Sequence, residues 1–508
     1  MSTIESWTKH ATDTKNAKRS RKAATAPAEE PNRNDRRAKG RQTAGREREV
    51  RRNRRKWLDR LGFYEYVGKA TKSTTRQVSG LFLATAGAPT SHLGLFVGKE
   101  QHTGWPYYLD VFAAYKHEGL SSANVCVFGD VGYGKSSFIK TWGVIRQLML
   151  GRRVVVIDKK RQQRGAGVIE GEYAQLARAL GVEPIKFVIG KNTGGSCVNV
   201  LDPAIGGEGT SESGASQMQL LRAVLTEALG RDVGALEGKA LSVARKCAID
   251  EARATGRVAT IRDVLHHLED PHEGARQYVS HRTSLDDLAR WGLEAAAELE
   301  RLVDEDLAGL IDGPTSGSIS LTKGLTVFDI SALPDTGPAV PIVMAVVNSW
   351  LRAVIDNQAD PVPTVFVVEE GWHLVSGTFA TIMERNQKLT RGESLENITA
   401  LHHLSDVAKD SPARAAIKEA AVAVMYRQDR DEDAAALVEL FGLPPSAHGV
   451  LMQLPKGSAL IKVGDRKPVL VTHYRSAWEE RLTDTDEAMH STATVSLHGD
   501  NAQMPAAA

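Results

Sequence analysis

The stretch "NVCVFGDVGYGKSSFIKTW" (residues 124–142) decides the fold. Residues 129–136 match the pattern GxxxxGK[ST] in full, with an apolar run before them and an amphipathic helical pattern after them. Glycines at 129, 132 and 134 let backbone N–H groups turn inward around an anion without a Cβ in the way. The helix that follows aims its positive N-terminal end at the same place. The expected anion cradle is Gly129, Asp130, Val131, Gly132, Tyr133, Gly134, Lys135, Ser136 and Ser137. Lys135 would reach the β- and γ-phosphates, and the Ser136 hydroxyl would ligate Mg²⁺.

Further apolar runs recur on either side of helical stretches: "VVVID" (154–158), "PIKFVI" (184–189), "LTVFDI" (325–330), "TVFVVE" (364–369), "NITALHH" (397–403) and "AVAVMY" (421–426). Nearly continuous apolar strands separated by helices predict a mostly parallel sheet covered on both faces, an α/β fold. Between 206 and 313 the strands give way to Ala-, Leu-, Glu- and Arg-rich stretches of helical spacing, read as a helical insertion.

"VFVVEEGWHLV" (365–375) ends one of those strands in two acids, as a Walker B motif does, although the first acid there is normally Asp. A phosphate-loop site needs one acid near the metal and one to position attacking water. The order suits Glu369 for the metal shell and Glu370 for the water, and successive side chains point differently. Asp329, at the end of "LTVFDIS", is the competing strand end and has no Glu after it.

The chain has 508 residues, with 42% hydrophobic and 25% charged, as in an ordinary globular protein of two or three domains. Its three cysteines form no CxxC pair, so neither a disulfide framework nor a zinc site is indicated. The pairs His266-His267 and His402-His403 are adjacent rather than four apart, so no metal site beyond Mg²⁺ is expected. Residues 340–355 are apolar but short and carry Asn348 and Arg352, so no membrane span is expected; nor is a secretory signal.

Residues 1–60 hold 19 Lys/Arg against 8 Asp/Glu while the whole chain is only +2, so a basic arm joins an acidic body. Three readings of the arm stand open: a solvated tail, a contact with nucleic-acid phosphates, or a contact with an anionic membrane surface. The expected organisation is a disordered basic arm (1–56), a small β-rich entry (57–123), a first core segment (124–205), the helical insertion (206–320), a second core segment (321–483) and a disordered tail (484–508).

Taken in order from about 92 to 478, several blocks resemble the type IV secretion and conjugation ATPases related to VirB-four, in the HerA/FtsK superfamily of P-loop motors. "VVVIDKK" followed by "GEYAQLARALG" is similar to the family's Asp-Pro-Lys-Gly-Glu-Tyr block, here split by "RQQRGAGVIE". "CVNVLDP" (197–203) resembles its Asn-x-Leu-Asp-Pro turn, and "EEGWHL" its acidic motif. The resemblance implies a RecA-like P-loop ATPase acting as a hexameric ring at the cytoplasmic face of the inner membrane. ATP and Mg²⁺ would be its cofactors, and channel components and DNA its partners. Its task would be transport of DNA or protein, with direct DNA translocation or a non-hydrolysing assembly role as alternatives. It also implies that His402 stands where the family has a γ-phosphate-sensing Gln. Arg391 would be a finger reaching a neighbour's ATP, with Arg427 the weaker alternative. A surface arginine and an uninvolved histidine are the plainer readings of these positions. The departures are Glu-Glu-Gly-Trp in the acidic motif, His for Gln, and little room for the family's large N-terminal domain.

Overall fold

Six of the seven apolar runs become strands buried on both faces, as continuous Val/Ile/Leu/Phe sequences require. The computed structural model describes residues 93–164, 168–191, 193–206, 213–321, 324–358, 360–369, 394–405, 407, 414 and 417–483. The expected arm, most of the entry region and the expected tail lie outside these.

The strands, in chain order, are β1 (Leu95–Glu100), β2 (Pro106–Leu109), β3 (Asn124–Phe128), β4 (Arg153–Asp158), β5 (Arg161–Arg164), β6 (Val168–Gly171) and β7 (Ile185–Lys186). They continue with β8 (Leu325–Asp329), β9 (Thr364–Val368), β10 (Leu395–Leu401), β11 (Val422–Met425), β12 (Ser458–Val463) and β13 (Val469–His473). Among the described residues, eleven of them form one sheet in the order β2-β1-β13-β12-β11-β3-β10-β9-β4-β8-β7. From β11 to β7 every pairing is parallel, and from β11 to β2 every pairing is antiparallel. The expected "mostly parallel" sheet is therefore present, with an antiparallel wing that the apolar runs did not announce. The entry strands β1 and β2 belong to that wing, because β1 pairs with β13. The run at 184–189 yields only the two residues of β7, at the sheet edge.

β5 and β6 form a separate antiparallel hairpin. It accounts for the split block: the chain leaves at Lys160, makes the hairpin, and returns so that the Glu172 N–H donates to the Lys160 carbonyl (3.1 Å).

The helices Ser213–Leu229, Ala235–Ala254, Ile261–Glu269 and Leu285–Arg301 fill the stretch read as an insertion. Ser284 caps the last of them, its hydroxyl accepting from the Asp287 N–H (3.0 Å). These helices form a small apolar cluster of their own around Val243, Cys247, Ala275 and Leu288 and also pack into the core of the sheet. Leu221, Leu241, Val264 and Leu299 share one apolar cluster with Val155, Phe328 and Phe366 of the sheet. The helix Ala339–Asp356 joins the two groups. By length and composition it could cross a membrane, but 67% of it is buried inside the fold, as a core helix would be.

On the other face, the helical stretch after the phosphate loop packs through Phe138, Ile139 and Trp142 onto β3, β9 and β10. Trp142 stacks on Phe138 (5.2 Å between centroids) and donates its indole N–H to the Leu109 carbonyl (3.0 Å), tying the β2 end to this helix.

One buried group opposes this packing. Glu396 of β10 is fully buried, and neither carboxylate oxygen has a hydrogen-bond partner among the described residues. Burial pushes its pKa up to about 8, with Arg152 pulling down and Asp110 pushing up. The fold thus keeps a proton that the unfolded chain releases above pH ~4.3. Stability from this group is fullest below that pH and is lost as pH rises towards 8. Glu396→Gln should therefore raise the unfolding free energy at pH 8 by about 1–4 kcal/mol, with the gain shrinking towards pH 5. Urea midpoints at the two pH values check this; a gain equal at both would contradict it.

Candidate functional site

The phosphate loop leaves β3 at Gly129, where φ is +141° and a Cβ would stand 2.6 Å from Tyr426 Cβ on the neighbouring chain segment. Only glycine fits there. Gly132 and Gly134 also have positive φ, and the helix begins directly at Lys135. Three side contacts fix the loop. Asp130 accepts from the Asp429 N–H through its carboxylate, the Asp130 N–H donates to the Arg427 carbonyl (3.0 Å), and the Gly457 N–H donates to the Tyr133 carbonyl (3.0 Å).

Lys135 is buried and folded back onto its own loop. Its ammonium donates to the carbonyls of Gly129 and Asp130 (2.9 Å for the latter) and stands 3.1 Å from His402 Nδ1. With lysine donating, that imidazole nitrogen accepts. His402 follows β10, the strand beside β3, so the two residues implied to sense phosphate meet at one point.

The acid arrives from further away than a neighbouring strand. β9 is separated from β3 by β10, which pairs with both. From the end of β9, Glu369 nevertheless reaches the loop: its Oε2 accepts from the Ser136 hydroxyl at 3.1 Å. A serine hydroxyl and a carboxylate side by side are hard oxygen donors of the kind Mg²⁺ takes, so these residues fit the metal role expected of them.

Behind Glu369 lies a buried polar network that holds it. The Tyr173 phenol donates to Glu369 Oε1. Tyr173 is fixed in turn by its N–H, which donates to Asp158 Oδ2 (2.7 Å) at the end of β4. Glu172 binds two lysines, Lys140 (2.8 Å) and Lys160 (2.9 Å), and Lys140 also lies 5.1 Å from the Tyr173 ring centre. Lys140 sits in a π-helical segment, Ile139–Ile145, and is fully buried. Such widened turns often occur at functional sites.

The charges shift as this burial dictates. Burial, then the nearby Glu172, raises the pKa of Glu369, while Lys140, Tyr173 and Lys160 pull it down. Burial and then Glu369 raise Tyr173 well above the usual phenol, so it remains a donor. Burial raises Asp158 well above the carboxylate range, against the pull of the Tyr173 N–H. Burial pushes Glu172 up too, but its two lysines outweigh that and leave it lowered.

The rival acid, Asp329, has structural work. Its carboxylate accepts from the N–H groups of Gly171 and Ser331 (3.0 Å each) and from the Ser331 hydroxyl (2.6 Å). Arg427 lies over the Tyr133 ring of its own chain (5.3 Å) and pairs with Asp429 (2.9 Å). Glu370 and Arg391 lie outside the described residues.

No protein-family model matches the chain, and no curated protein matches it. Solved structures do. VirB4 of Thermoanaerobacter pseudethanolicus superposes over 77% of this chain and 99% of its own, with a TM-score of 0.61 at 20% identity. The chain has a RecA-like P-loop NTPase fold. The bacterial conjugative coupling protein TrwBdeltaN70 is more distant (TM-score 0.48, 12% identity, 76% of this chain and 91% of its own). So is the plasmid coupling protein TrwB in complex with ADP and Mg²⁺ (0.46, 12%, 76% and 90%).

In this P-loop NTPase fold, Lys135, Ser136, Glu369 and His402 come together as their positions implied. Tyr173, Lys140 and Glu172 were missed as site residues. The block "GEYAQLARALG" carried the signal, but the hairpin separates it from "VVVIDKK" in sequence and hides their closure. Tyr173→Phe should cost about 1 kcal/mol of stability by removing one buried hydrogen bond. It should also weaken Mg²⁺-dependent nucleotide binding by about tenfold, as loss of an orienting partner does, with Mg²⁺-free binding unchanged. Titrations with and without Mg²⁺ check this; equal losses in both would contradict the orienting role.

Proposed function

We propose that the chain is an ATP-hydrolysing motor that energises transport of DNA or protein in a conjugation or type IV secretion apparatus. The observation that carries the proposal is the meeting of Lys135, Ser136, Glu369 and His402 at one end of the parallel sheet. The shared fold with VirB4 supports the setting.

In this reading the loop N–H groups cradle the phosphates, and Lys135 leaves its carbonyl contacts for the β- and γ-phosphate oxygens. Ser136 and Glu369 would hold Mg²⁺, which when bound would neutralise charge on those oxygens. Glu370 takes a proton from the attacking water as its oxygen bonds to the γ-phosphorus. The bond from that phosphorus to the β–γ bridging oxygen breaks, leaving ADP and inorganic phosphate. His402 donates to a γ-phosphate oxygen through an imidazole N–H. Arg391 of a neighbouring copy stabilises the developing charge, which calls for a ring, taken as a hexamer. The ring works in the cytoplasm, at the inner membrane face, on channel components, with the basic arm on DNA or on lipid headgroups.

Glu370→Gln should keep ATP binding and slow turnover by at least about 100-fold, the lower range for general-base loss. Phosphate release and ATP titration measured on one preparation check both halves; unchanged turnover removes Glu370 from the mechanism. Added DNA should leave wild-type turnover unaltered if the work is done on channel proteins. Strong stimulation would instead support direct DNA translocation.

A further inference from the structure

The helical insertion contains a second polar cluster, far from the phosphate loop in sequence. His267, on the helix Ile261–Glu269, has a side chain only 3% exposed, and its Nε2 stands 3.0 Å from Glu251 Oε2. Glu251 comes from the preceding long helix, Ala235–Ala254. His272 comes from the loop beyond, with its ring centre 4.7 Å from that of His267. One donor atom from each of the three residues lies within 4.8 Å of the other two. His266, the neighbour in sequence, is exposed on the outer side. Adjacency of His266 and His267 argued against a metal, and for that pair it still does. The partner of His267 is instead five residues on, brought back by the turn after Glu269.

An ordinary core histidine has both ring nitrogens satisfied. Here Nδ1 is buried and has no hydrogen-bond partner among the described residues. The nitrogen that faces Glu251 is the other one, Nε2, so a cation shared with Glu251 would be held there. The ring borders a small cavity that His272, Cys247 and Leu288 also line. Around it the Cys247, Ala275 and Leu288 side chains make an apolar wall. The loop is built to hold His272 in place. The Ala275 N–H donates to the His272 carbonyl (2.9 Å), and a Cβ on Gly274 would stand 2.8 Å from His272 Cε1, so glycine leaves room for the ring.

We propose that Glu251, His267 and His272 bind a zinc-class divalent cation that clasps two insertion helices and the loop after them. Two imidazoles and a carboxylate suit zinc and not magnesium, which prefers an all-oxygen shell. Ligands about 2.0–2.1 Å from a tetrahedral zinc stand roughly 3.4 Å apart; the three donor atoms already lie within 4.8 Å of one another, and the His267–Glu251 pair at 3.0 Å, so side-chain adjustments alone reach that spacing. His267 is buried, while Glu251 and His272 are exposed. Water completes the shell. The three ligands come from two helices and the loop after them, so the bound cation ties that loop to both helices.

The test is Zn²⁺ binding by the full chain, stripped with chelator and titrated in competition with a chromophoric chelator. Wild type should take up one equivalent, competed by Co²⁺ and not by Mg²⁺, and its thermal midpoint should rise with Zn²⁺. His272→Ala and Glu251→Gln, both at exposed positions, should each weaken uptake at least about tenfold and lose the thermal shift, since even an outer-shell loss costs 10–100-fold. His266→Ala should bind as wild type does, and ATP binding by every variant shows that the fold is retained. The proposal is overturned if wild type takes up no Zn²⁺, if His272→Ala and Glu251→Gln bind as tightly as wild type, or if His266→Ala loses as much.

Discussion

The contact between Ser136 and Glu369 sets the terms for the rest of the site. The hydroxyl begins the helix after β3 and the carboxylate ends β9, with the whole of β10 between them. Adjacent strands stand about 4.8 Å apart; the helical stretch after the loop lies over β3, β10 and β9 alike, and this brings the Ser136 hydroxyl within reach of the acid. Glutamate is one methylene longer than the aspartate usual at this place. The crossing works only if β3, β10 and β9 end at one level, and their parallel in-register pairing secures that. The strand between is not a spacer alone, since its own end delivers His402 to Lys135.

A carboxylate buried this deeply needs support. Tyr173 hydrogen-bonds it, and Lys140 and Lys160 supply positive charge nearby through Glu172. Buried ion pairs seldom add much net stability, because desolvation cancels most of the attraction. Their value here is orientation: Asp158 holds the Tyr173 backbone, and Tyr173 holds Glu369. The network therefore trades stability for a fixed acid at the loop, as preorganised sites do.

Much of this is legible in the sequence. The buried strands announced themselves because a strand covered on both faces must be apolar throughout, as "VVVID" and "TVFVV" are. The loop was legible because its glycines and lysine have one joint use. The antiparallel strands β12 and β13 were not: β13, "VLVTH", is partly exposed and carries a weaker apolar signal, and β12, "SALIKV", though buried, is broken by Ser458 and Lys462. Strand order was also hidden: nothing local in "NITAL" says that β10 lies between β3 and β9. Nothing in the sequence marks Lys140, since its burial depends on a π-helical turn and on a Glu172 that follows a hairpin.

The central claim is that Lys135, held in this structure by loop carbonyls and His402, is the hand that takes ATP phosphate. ATP turnover by purified wild type and Lys135→Ala, side by side, tests it most directly. The account predicts measurable wild-type turnover and a fall of at least about 100-fold in the variant, with its fold intact by circular dichroism. Turnover that survives Lys135→Ala at the wild-type rate would contradict it.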